Sequence, residues 1–384
     1  MKKLYFVIAL AIVASMILTA CGGGAAPTQK APAATTAPAA TSAPATTAPA
    51  AEATLADCPK PEVFCVGLVT DVGKVDDKSF NQSSWEGLQK AKADGNADLI
   101  QYVETTDSKD YAKNIATFGD AGFDVVVTSG FNLTDPTYEA AKLFPTTTFI
   151  GIDQFLMKDD KHTDLPLANL VGLVYNEDQS GFLVGALAAM TSTKHKIGGV
   201  FGTDAVPPVW RYGEGYRAGA AYADAQKGTK TEVNIVYHND VGFDKTFTDP
   251  EWGATTANSM IDKGADVIFG GGGKTGNGAV VAAAQKGVYA IGVDVDQYLT
   301  LPEAQKQLLS SALKPITAPV ANLIKAAKDG KTVGGLSFGG AGYAPFHDLD
   351  SKVSADVKAA MEKILAALVD GSLKTNVAPV KPAK

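Results

Sequence analysis

The sequence predicts an α/β fold in which two similar lobes face each other across a cleft. From about Glu62 to Leu373, short β-branched segments alternate with longer amphipathic segments, which is the pattern of strands that cross over through helices into parallel sheets. This body of roughly 310 residues exceeds what one hydrophobic core usually supports. It also contains a weak internal repeat, which indicates that the two lobes are related.

The internal repeat consists of two matched pairs of short segments at nearly one spacing. Residues 122–130 (GFDVVVTSG) resemble residues 264–272 (GADVIFGGG), and residues 149–153 (FIGID) resemble residues 290–294 (AIGVD). Corresponding glycines of the two segments are 29 residues apart in the first copy and 28 in the second. Two matches at one spacing indicate tandem α/β lobes.

Eight strands and the helices between them are predicted from the hydrophobic pattern. Tyr111, Ile115 and Phe118 recur at i, i+4 and i+7, a spacing that lets one helix face cover a sheet. The predicted strands are Phe64–Thr70, Asp124–Thr128, Thr148–Ile152, Leu170–Val174, Ile197–Phe201, Val233–Tyr237, Asp266–Phe269 and Ala290–Val293.

The first 20 residues have the layout of a secretory signal peptide. Met-Lys-Lys is followed by an apolar run, Leu4–Ala20, and then by Cys21. Residues 18–21 (LTAC) resemble the bacterial lipoprotein cleavage box, in which the cysteine is lipidated and becomes the new N-terminus. We therefore expect a mature chain that begins at Cys21 and is lipid-anchored to the cell membrane on its extracytoplasmic side. An uncleaved anchor is the alternative, and it would also leave the protein at the membrane.

A tether is expected between this anchor and the folded body. Residues 21–57 are dominated by Ala, Pro and Thr with few charges, so they cannot form a hydrophobic core and are predicted to be disordered. The folded body is predicted at residues 58–373, with a tail at 374–384. Cys58 and Cys65 are seven positions apart, and in an exported protein this spacing favours a disulfide before the first strand.

The charge and the histidine pattern exclude several classes of site. The formal net charge is -7, and removal of Lys2 and Lys3 with the signal peptide takes it to -9. An acidic body argues against nucleic acid as a partner. The four histidines are scattered without metal-ligand spacing, so neither a metal nor another cofactor is predicted.

The polar segment Asp71–Asn81 is the most informative part of the chain. It follows the first predicted strand, and ligands of open α/β sheets bind at the carboxyl ends of the strands. Phe80 offers a flat apolar face, while Asp71 and Asn81 offer hydrogen-bonding groups. The alternative is that the acidic residues only cap the next helix and that Phe80 is a core residue.

The second lobe has four segments with comparable chemistry, each predicted as a loop at a strand end. They are residues 202–216, 270–278, 294–296 and 310–314. In residues 270–278 (GGGGKTGNG), the absence of side chains would let the backbone approach a ligand closely.

Taken in order, these segments resemble the basic membrane protein family. The motifs are DVGKVDDKSFN at 71–81, VWRYGEGY at 209–216, GGGKTGNG at 271–278, IGVDVDQ at 291–297 and SALK at 311–314. The family comprises lipoprotein substrate-binding components of ABC transporters. The resemblance implies a type I periplasmic-binding-protein fold, with two Rossmann-like lobes joined by a three-strand hinge. Lobe I would span about 62–172 plus about 314–336, and lobe II about 173–300 plus the C-terminal part.

The resemblance also implies a purine nucleoside ligand, an ABC permease partner and a role for each site residue. Phe80 and Tyr212 would stack on the two faces of the base, with Trp210 a competitor for the second face. Asp71 and Asn81 would bind the base edge, Asp294 the ribose hydroxyls and Lys314 the remaining sugar oxygens. Backbone groups of Gly271 and Gly272, together with Asp135, would add further contacts.

Three other functions remain open from the sequence. A ligand consisting of a sugar alone would also fit between aromatic residues, and a surface lipoprotein that senses nucleosides would need the same site. A nucleoside hydrolase would use Asp71 and Asp294 as acid and base, although no further catalytic signature supports an enzyme.

Overall fold

The structure is a computed structural model that describes residues 53–378 and residue 381. The predicted signal peptide, Cys21, nearly all of the predicted tether and most of the last six residues lie outside the described residues. Within the described range, no helix is both long enough and apolar enough to span a bilayer.

Lobe I is built on a six-stranded, entirely parallel sheet. The strand order is β11-β5-β4-β3-β1-β2, so the first strand, β1, lies between β3 and the edge strand β2. Helices α1 and α9 pack on one face, and α2 and α3 on the other. The elements are β1 Cys65–Val72, α1 Phe80–Ala93, β2 Leu99–Thr105, α2 Tyr111–Asp120, β3 Val125–Ser129, α3 Thr134–Leu143, β4 Thr148–Ile152, β5 Leu170–Val174, α9 Thr317–Lys328 and β11 Gly335–Phe338.

Lobe II repeats this arrangement with one antiparallel edge strand. Its order is β12-β10-β9-β8-β6-β7, in which only the β10–β12 pair is antiparallel. Helices α4, α5 and α10 cover one face, and α6 and α7 the other. The elements are α4 Glu177–Thr191, β6 Lys196–Phe201, α5 Pro207–Lys227, β7 Glu232–Tyr237, α6 Pro250–Asp262, β8 Val267–Gly271, α7 Gly273–Gln285, β9 Tyr289–Asp294, α8 Gln297–Thr300, β10 Leu308–Leu313, β12 Gly342–Tyr343 and α10 Ala355–Val369.

The predicted two-lobed α/β architecture is therefore confirmed, and the sequence repeat matches the sheet topology. Its first pair of segments forms β3 and β8, and its second pair forms β4 and β9, which hold equivalent places in the two sheets. Each of the eight predicted strands is present within two residues at either end. The predicted helix face is also present, because Tyr111, Ile115 and Phe118 are all buried on α2.

Three short segments carry the chain between the lobes. They follow β5, β10 and β11 at residues 175–176, 314–316 and 339–341. Tyr175 in the first segment donates its hydroxyl to the Pro315 carbonyl in the second (3.1 Å). The Gly339 nitrogen in the third donates to the Val174 carbonyl (2.8 Å). The first two crossovers are thus bonded to each other, and the third is bonded to the last residue of β5, just before the first crossover.

Three segments predicted as strand-end loops have regular structure instead. Residues 207–216 lie in helix α5, which begins with two prolines, the residues best suited to a first turn that needs no backbone donor. Residues 273–278 belong to helix α7. Ser310 and Ser311 lie inside strand β10, where their hydroxyls bond the Ala344 carbonyl (2.7 Å) and the Gln297 nitrogen (3.1 Å).

Cys58 and Cys65 form a disulfide that closes the short segment before β1. Both cysteines are buried in the core under α2 and α3. The bond ties the entry of the chain to the first strand of lobe I, as the spacing of the two cysteines favoured.

Helices α4 and α5 pack with their backbones in close approach, and this contact positions residues at their N-terminal ends. Glycines stand at the contact on both helices: Gly181 and Gly185 on α4, and Gly215 and Gly219 on α5. A Cβ atom at Gly185 would lie 2.0 Å from the Tyr216 carbonyl oxygen, and one at Gly219 would lie 1.9 Å from that of Phe182. Backbone oxygens cannot move aside as a flexible side chain can, so a larger residue would separate the helices.

We expect Gly185→Ala to lower the free energy of unfolding by about 3 kcal/mol, because the added methyl group overpacks a backbone contact. Chemical denaturation of the purified protein measures this. Ala221→Ser, on the exposed side of α5, is the control and should change stability by less than about 0.5 kcal/mol. An equally small effect of Gly185→Ala would contradict the packing argument.

Candidate ligand-binding site

A cavity of about 280 Å³ lies between the two lobes. Its walls come from the carboxyl ends of strands in both sheets and from the crossover after β10, the position where open α/β folds bind ligands. Eight of the nine predicted ligand-binding residues line it: Asp71, Phe80, Asn81, Tyr212, Gly271, Gly272, Asp294 and Lys314.

The lobe I wall is formed by the end of β1 and the first turn of α1. The Asn81 Nδ2 atom donates to Asp71 Oδ1 (3.0 Å), while Asn81 Oδ1 is buried without a partner among the described residues. Burial raises the pKa of Asp71 to about 7, although the Asn81 hydrogen bond opposes this. This end of the cavity therefore offers one free amide acceptor and one carboxyl group that titrates near neutral pH.

Asp77 lines the cavity and also caps the start of α1. Its carboxylate accepts from the backbone nitrogens of Ser79 (2.9 Å), Asn81 (2.9 Å) and Gln82 (3.1 Å). Burial raises its pKa to about 6 despite these bonds. The helix-capping interpretation is therefore correct for Asp77, and it coexists with the placement of Phe80 and Asn81 at the cavity.

The lobe II wall presents Asp294 at the end of β9. Its backbone has a φ of 65°, which turns the side chain out of the strand direction. Ser79 Oγ of lobe I donates to Asp294 Oδ2 (2.6 Å), and the Tyr212 hydroxyl donates to Oδ1 (3.3 Å). Burial raises the pKa of Asp294, while the Lys314 charge and these two bonds lower it.

Lys314 is a buried cation among carboxylates from different parts of the fold. Its Nζ atom lies 2.5 Å from Asp153 Oδ2 at the end of β4 and 3.1 Å from Glu177 Oε1 at the start of α4. Burial opposes the lysine charge, but Asp153, Glu177 and Asp294 raise its pKa above the ordinary value. Lys314 is therefore charged when it faces the cavity.

Two aromatic rings from opposite lobes face the same lysine. The Lys314 Nζ atom is 5.1 Å from the ring centre of Phe80 and 6.0 Å from that of Tyr212. Trp210, the competitor for the second ring position, is buried in α5 and does not line the cavity. Three further lobe II rings, Phe201, Phe243 and Phe247, also line the cavity.

Comparison with known proteins identifies the family. Residues 64–339 match the family model Bmp, described as ABC transporter substrate-binding protein PnrA-like. The chain belongs to the Bmp family. It is therefore an ABC transporter substrate-binding protein, as its sequence motifs implied.

Curated relatives of this Bmp protein cover most of its length. A CD4+ T-cell-stimulating antigen of Listeria monocytogenes is 31% identical over 342 residues, which is 83% of this chain and 89% of the relative. The ABC transporter nucleoside-binding protein BmpA of Lactococcus lactis is 30% identical over 330 residues, 80% and 87% of the two chains. Basic membrane protein A of Borreliella burgdorferi is 32% identical over 245 residues, 63% and 66%.

Solved structures confirm the type I periplasmic-binding-protein fold. An ABC transporter solute-binding protein from Aeropyrum pernix superposes with a TM-score of 0.70 at 24% identity, covering 81% of this chain and 92% of that one. A periplasmic solute-binding protein from Actinobacillus succinogenes with bound D-allose gives a TM-score of 0.57 at 15% identity, covering 75% and 99%.

Asp135 is the predicted site residue that the structure does not bring to the cavity. It lies in the first turn of α3 with 57% of its side chain exposed, where it pairs with Lys161 (3.1 Å) and His162 (3.2 Å). Phe131 and Asn132, just before α3, line the cavity instead. Asp135 is the second residue of α3, so it lies three positions beyond Asn132, the last residue of this segment that lines the cavity.

Two acidic residues at the site were missed by the sequence reasoning. Asp153 lines the cavity, and its Oδ1 atom is buried without a partner among the described residues. The internal repeat is the signal that points to it, since Asp153 is the repeat equivalent of Asp294 and shares its positive φ (63°). Glu177 had no such signal, because it reaches Lys314 only through the crossover between lobes.

The described part of the chain holds no group of three or more His, Cys, Asp or Glu side chains placed to bind a metal ion. The cavity wall offers aromatic rings, hydrogen-bonding groups, carboxyl groups and one buried positive charge.

The raised pKa of Asp71 predicts a pH-dependent stability. A carboxyl that keeps its proton up to about pH 7 in the native state, but releases it near pH 4 when unfolded, makes stability fall as pH rises through this window. Asp71→Asn removes that loss. At pH 8 we expect the free energy of unfolding of the variant to exceed that of wild type by about 1 kcal/mol, after allowing for water in the cavity. At pH 5 this difference should disappear.

Differential scanning calorimetry at the two pH values measures the effect. Asp120→Asn, at the exposed end of α2, removes the same charge outside the cavity and is the control. A difference between Asp71→Asn and wild type that is the same at pH 5 and pH 8 would rule out a carboxyl that titrates in this window.

Proposed function

We propose that this Bmp-family protein binds purine nucleosides between its lobes and delivers them to the permease of an ABC importer. In the same proposal, a lipid on Cys21 holds it at the extracytoplasmic face of the cell membrane. The observation that carries the proposal is the placement of two rings from opposite lobes, Phe80 and Tyr212, around one cavity with different polar groups at its ends. The Lactococcus lactis relative is named a nucleoside-binding protein, which supports the proposal.

The base of a nucleoside suits the part of the cavity between the two rings. Stacking of a base on an aromatic side chain contributes about 1 to 3 kcal/mol, and every base has a flat face. Asp71 and Asn81 supply directional contacts to the base edge, and the unpaired Asn81 Oδ1 would accept from a ring or exocyclic N–H. A free sugar has no planar π system and would contact the two rings only through its C–H groups.

The ribose suits the side formed by Asp294 and Lys314. Ser79 and Tyr212 hold the Asp294 carboxylate in a fixed orientation, so its remaining acceptor positions can bind two adjacent hydroxyls. Lys314 is anchored by Asp153 and Glu177 and presents its charge to sugar oxygens. A pentose cis-diol next to a base matches this order of groups.

The charge balance favours a nucleoside over a nucleotide. Four carboxylates line the cavity, Asp71, Asp77, Asp153 and Asp294, and Lys314 is the buried cation among them. Lys74, which is exposed, and Lys274, which pairs with Asp76 (3.2 Å), also line it. Each of these carboxyl groups would repel a phosphate placed beside it whenever it is ionised.

Isothermal titration calorimetry with inosine, guanosine, hypoxanthine, ribose and GMP tests the proposal. We expect the two nucleosides to bind at least tenfold more tightly than the free base, ribose or GMP. Tight binding of ribose without nucleoside binding would establish the sugar alternative. Chromatography of the same samples would reveal free base if the protein were a nucleoside hydrolase.

Phe80→Ala should weaken inosine binding about 5- to 150-fold, the equivalent of the stacking energy of one ring. The melting temperature should change little, because Phe80 is only partly buried. Phe338→Ala removes an aromatic ring that is 68% exposed and lies outside the cavity, so it is the matched control and should bind as wild type. Equal affinities of the two variants would disprove stacking on Phe80.

The anchor part of the proposal is tested separately. Cys21→Ala in the full-length precursor should abolish incorporation of labelled fatty acid and move the protein from the membrane fraction to the soluble extracytoplasmic fraction. Cys58→Ala keeps Cys21 and is the control for loss of a cysteine. Unchanged labelling of Cys21→Ala would show that the lipid is attached elsewhere or is absent.

A further inference from the structure

A short segment of lobe I, residues 76–79 between β1 and α1, makes polar contacts with lobe II at every position. Asp76 pairs with Lys274 (3.2 Å), and the Asp77 carbonyl accepts from Asn277 Nδ2 (2.7 Å). The Lys78 carbonyl accepts from Gln297 Nε2 (3.2 Å) and from Thr300 Oγ1 (2.9 Å). Ser79 Oγ donates to Asp294 Oδ2 (2.6 Å).

The 76–79 segment is held rigid from within lobe I. The Asp77 carboxylate accepts three backbone N–H groups at the start of α1, as described above. Lys78 has a φ of 62°, a backbone conformation that residues other than glycine seldom adopt. Its side chain is exposed. The contact of Lys78 with lobe II is therefore made by its backbone, because its carbonyl accepts from two donors of lobe II.

Gln297 connects this carbonyl to the interior of lobe II. It is fully buried, and its Oε1 atom accepts from the Val293 nitrogen (3.1 Å), while its backbone nitrogen donates to Ser311 Oγ (3.1 Å). Its Nε2 atom donates to Asn277 Oδ1 (2.8 Å) and to the Lys78 carbonyl (3.2 Å). Both amide protons are used, and one of them crosses the cleft.

The glutamine at the corresponding place in lobe I makes no such crossing. Gln154 follows the repeat aspartate Asp153, and its Oε1 atom stands over Gly151 as that of Gln297 stands over Gly292. Its Nε2 atom, however, donates to Thr128 Oγ1 (2.9 Å) and the Gly130 carbonyl (3.3 Å), both within lobe I. The two repeats thus use one residue type for different purposes.

We propose that Gln297 is a positioning residue which, with Thr300, fastens lobe I to lobe II through the Lys78 carbonyl and so sets how long a bound ligand is retained. Gln297 and Thr300 do not line the cavity, so they act on closure and not on ligand choice. Opening the cleft must break these two bonds. Contacts that are formed only in the closed state stabilise that state and slow dissociation. The nature of the ligand rests on the proposed function, but the closure itself does not.

Two variants test the proposal with matched controls. Gln297→Glu keeps the acceptor for the Val293 nitrogen and replaces the donor facing Lys78 with an acceptor. Thr300→Val removes a hydroxyl without changing shape, at a site exposed enough to leave folding intact. Each control loses an equivalent bond within one lobe. Gln305→Glu removes the bond from Nε2 to the Tyr298 carbonyl, and Thr117→Val removes the bond from Oγ1 to the Lys113 carbonyl.

The readouts are small-angle X-ray scattering of ligand-free protein and stopped-flow dissociation of inosine. We expect Thr300→Val to raise the dissociation rate about 3- to 10-fold and Gln297→Glu more than tenfold, the effect of losing one or more hydrogen bonds. The association rate and the ratio of inosine to hypoxanthine affinity should stay within about twofold. Both variants should show a larger radius of gyration than wild type and the controls.

Unchanged scattering and dissociation in folded Gln297→Glu and Thr300→Val would overturn the inference. If Gln297→Glu does not fold, Thr300→Val decides alone. If wild-type protein does not bind inosine, the proposed function fails, and the scattering comparison still decides whether these residues hold the lobes together.

Discussion

The architecture of the site depends on the buried charge of Lys314. A cation taken out of water must be matched by partners, and removal of one partner from a buried pair is strongly destabilising. Here the partners come from both sides of the hinge: Asp153 ends a strand of lobe I, and Glu177 begins the first helix of lobe II. The backbone nitrogen of Lys314 also donates to the Asp294 carbonyl (2.7 Å), which holds the start of the second crossover to strand β9. One charge therefore brings both lobes and two crossovers to one point.

The position of this charge couples ligand contacts to lobe motion. Lys314 lies in a crossover segment, so the residue facing the cavity is itself part of the hinge. Phe80 and Tyr212 belong to opposite lobes, so in the proposed binding mode a flat ligand would contact both rings only when the cleft is closed. A ligand that binds the closed form better than the open form shifts the population toward closure. The geometry supplies such a difference without any contact outside the cavity.

The sequence predicted the fold and the placement of most site residues because both follow from local patterns. Strands are marked by β-branched runs, and Asp71 and Asp294 directly end such runs. Strand β10 was missed because Ser310 and Ser311 look like loop residues until tertiary partners satisfy their hydroxyls. Glu177 was missed for a related reason, since its role exists only once the crossovers bring it to Lys314.

The two repeats explain how equivalent aspartates acquire different roles. Asp153 and Asp294 share a strand end and a positive φ, yet Asp153 is bonded directly to Lys314 whereas Asp294 accepts from two hydroxyls, those of Ser79 and Tyr212. The first pairing neutralises a buried charge and fixes the lysine. The second orients a carboxylate without neutralising it, and leaves it able to accept further hydrogen bonds from a neutral ligand. The strand-end aspartate is thus common to both repeats while its partners differ: Asp153 supports the lysine, and Asp294 would be free to bind the ligand in the proposed binding mode.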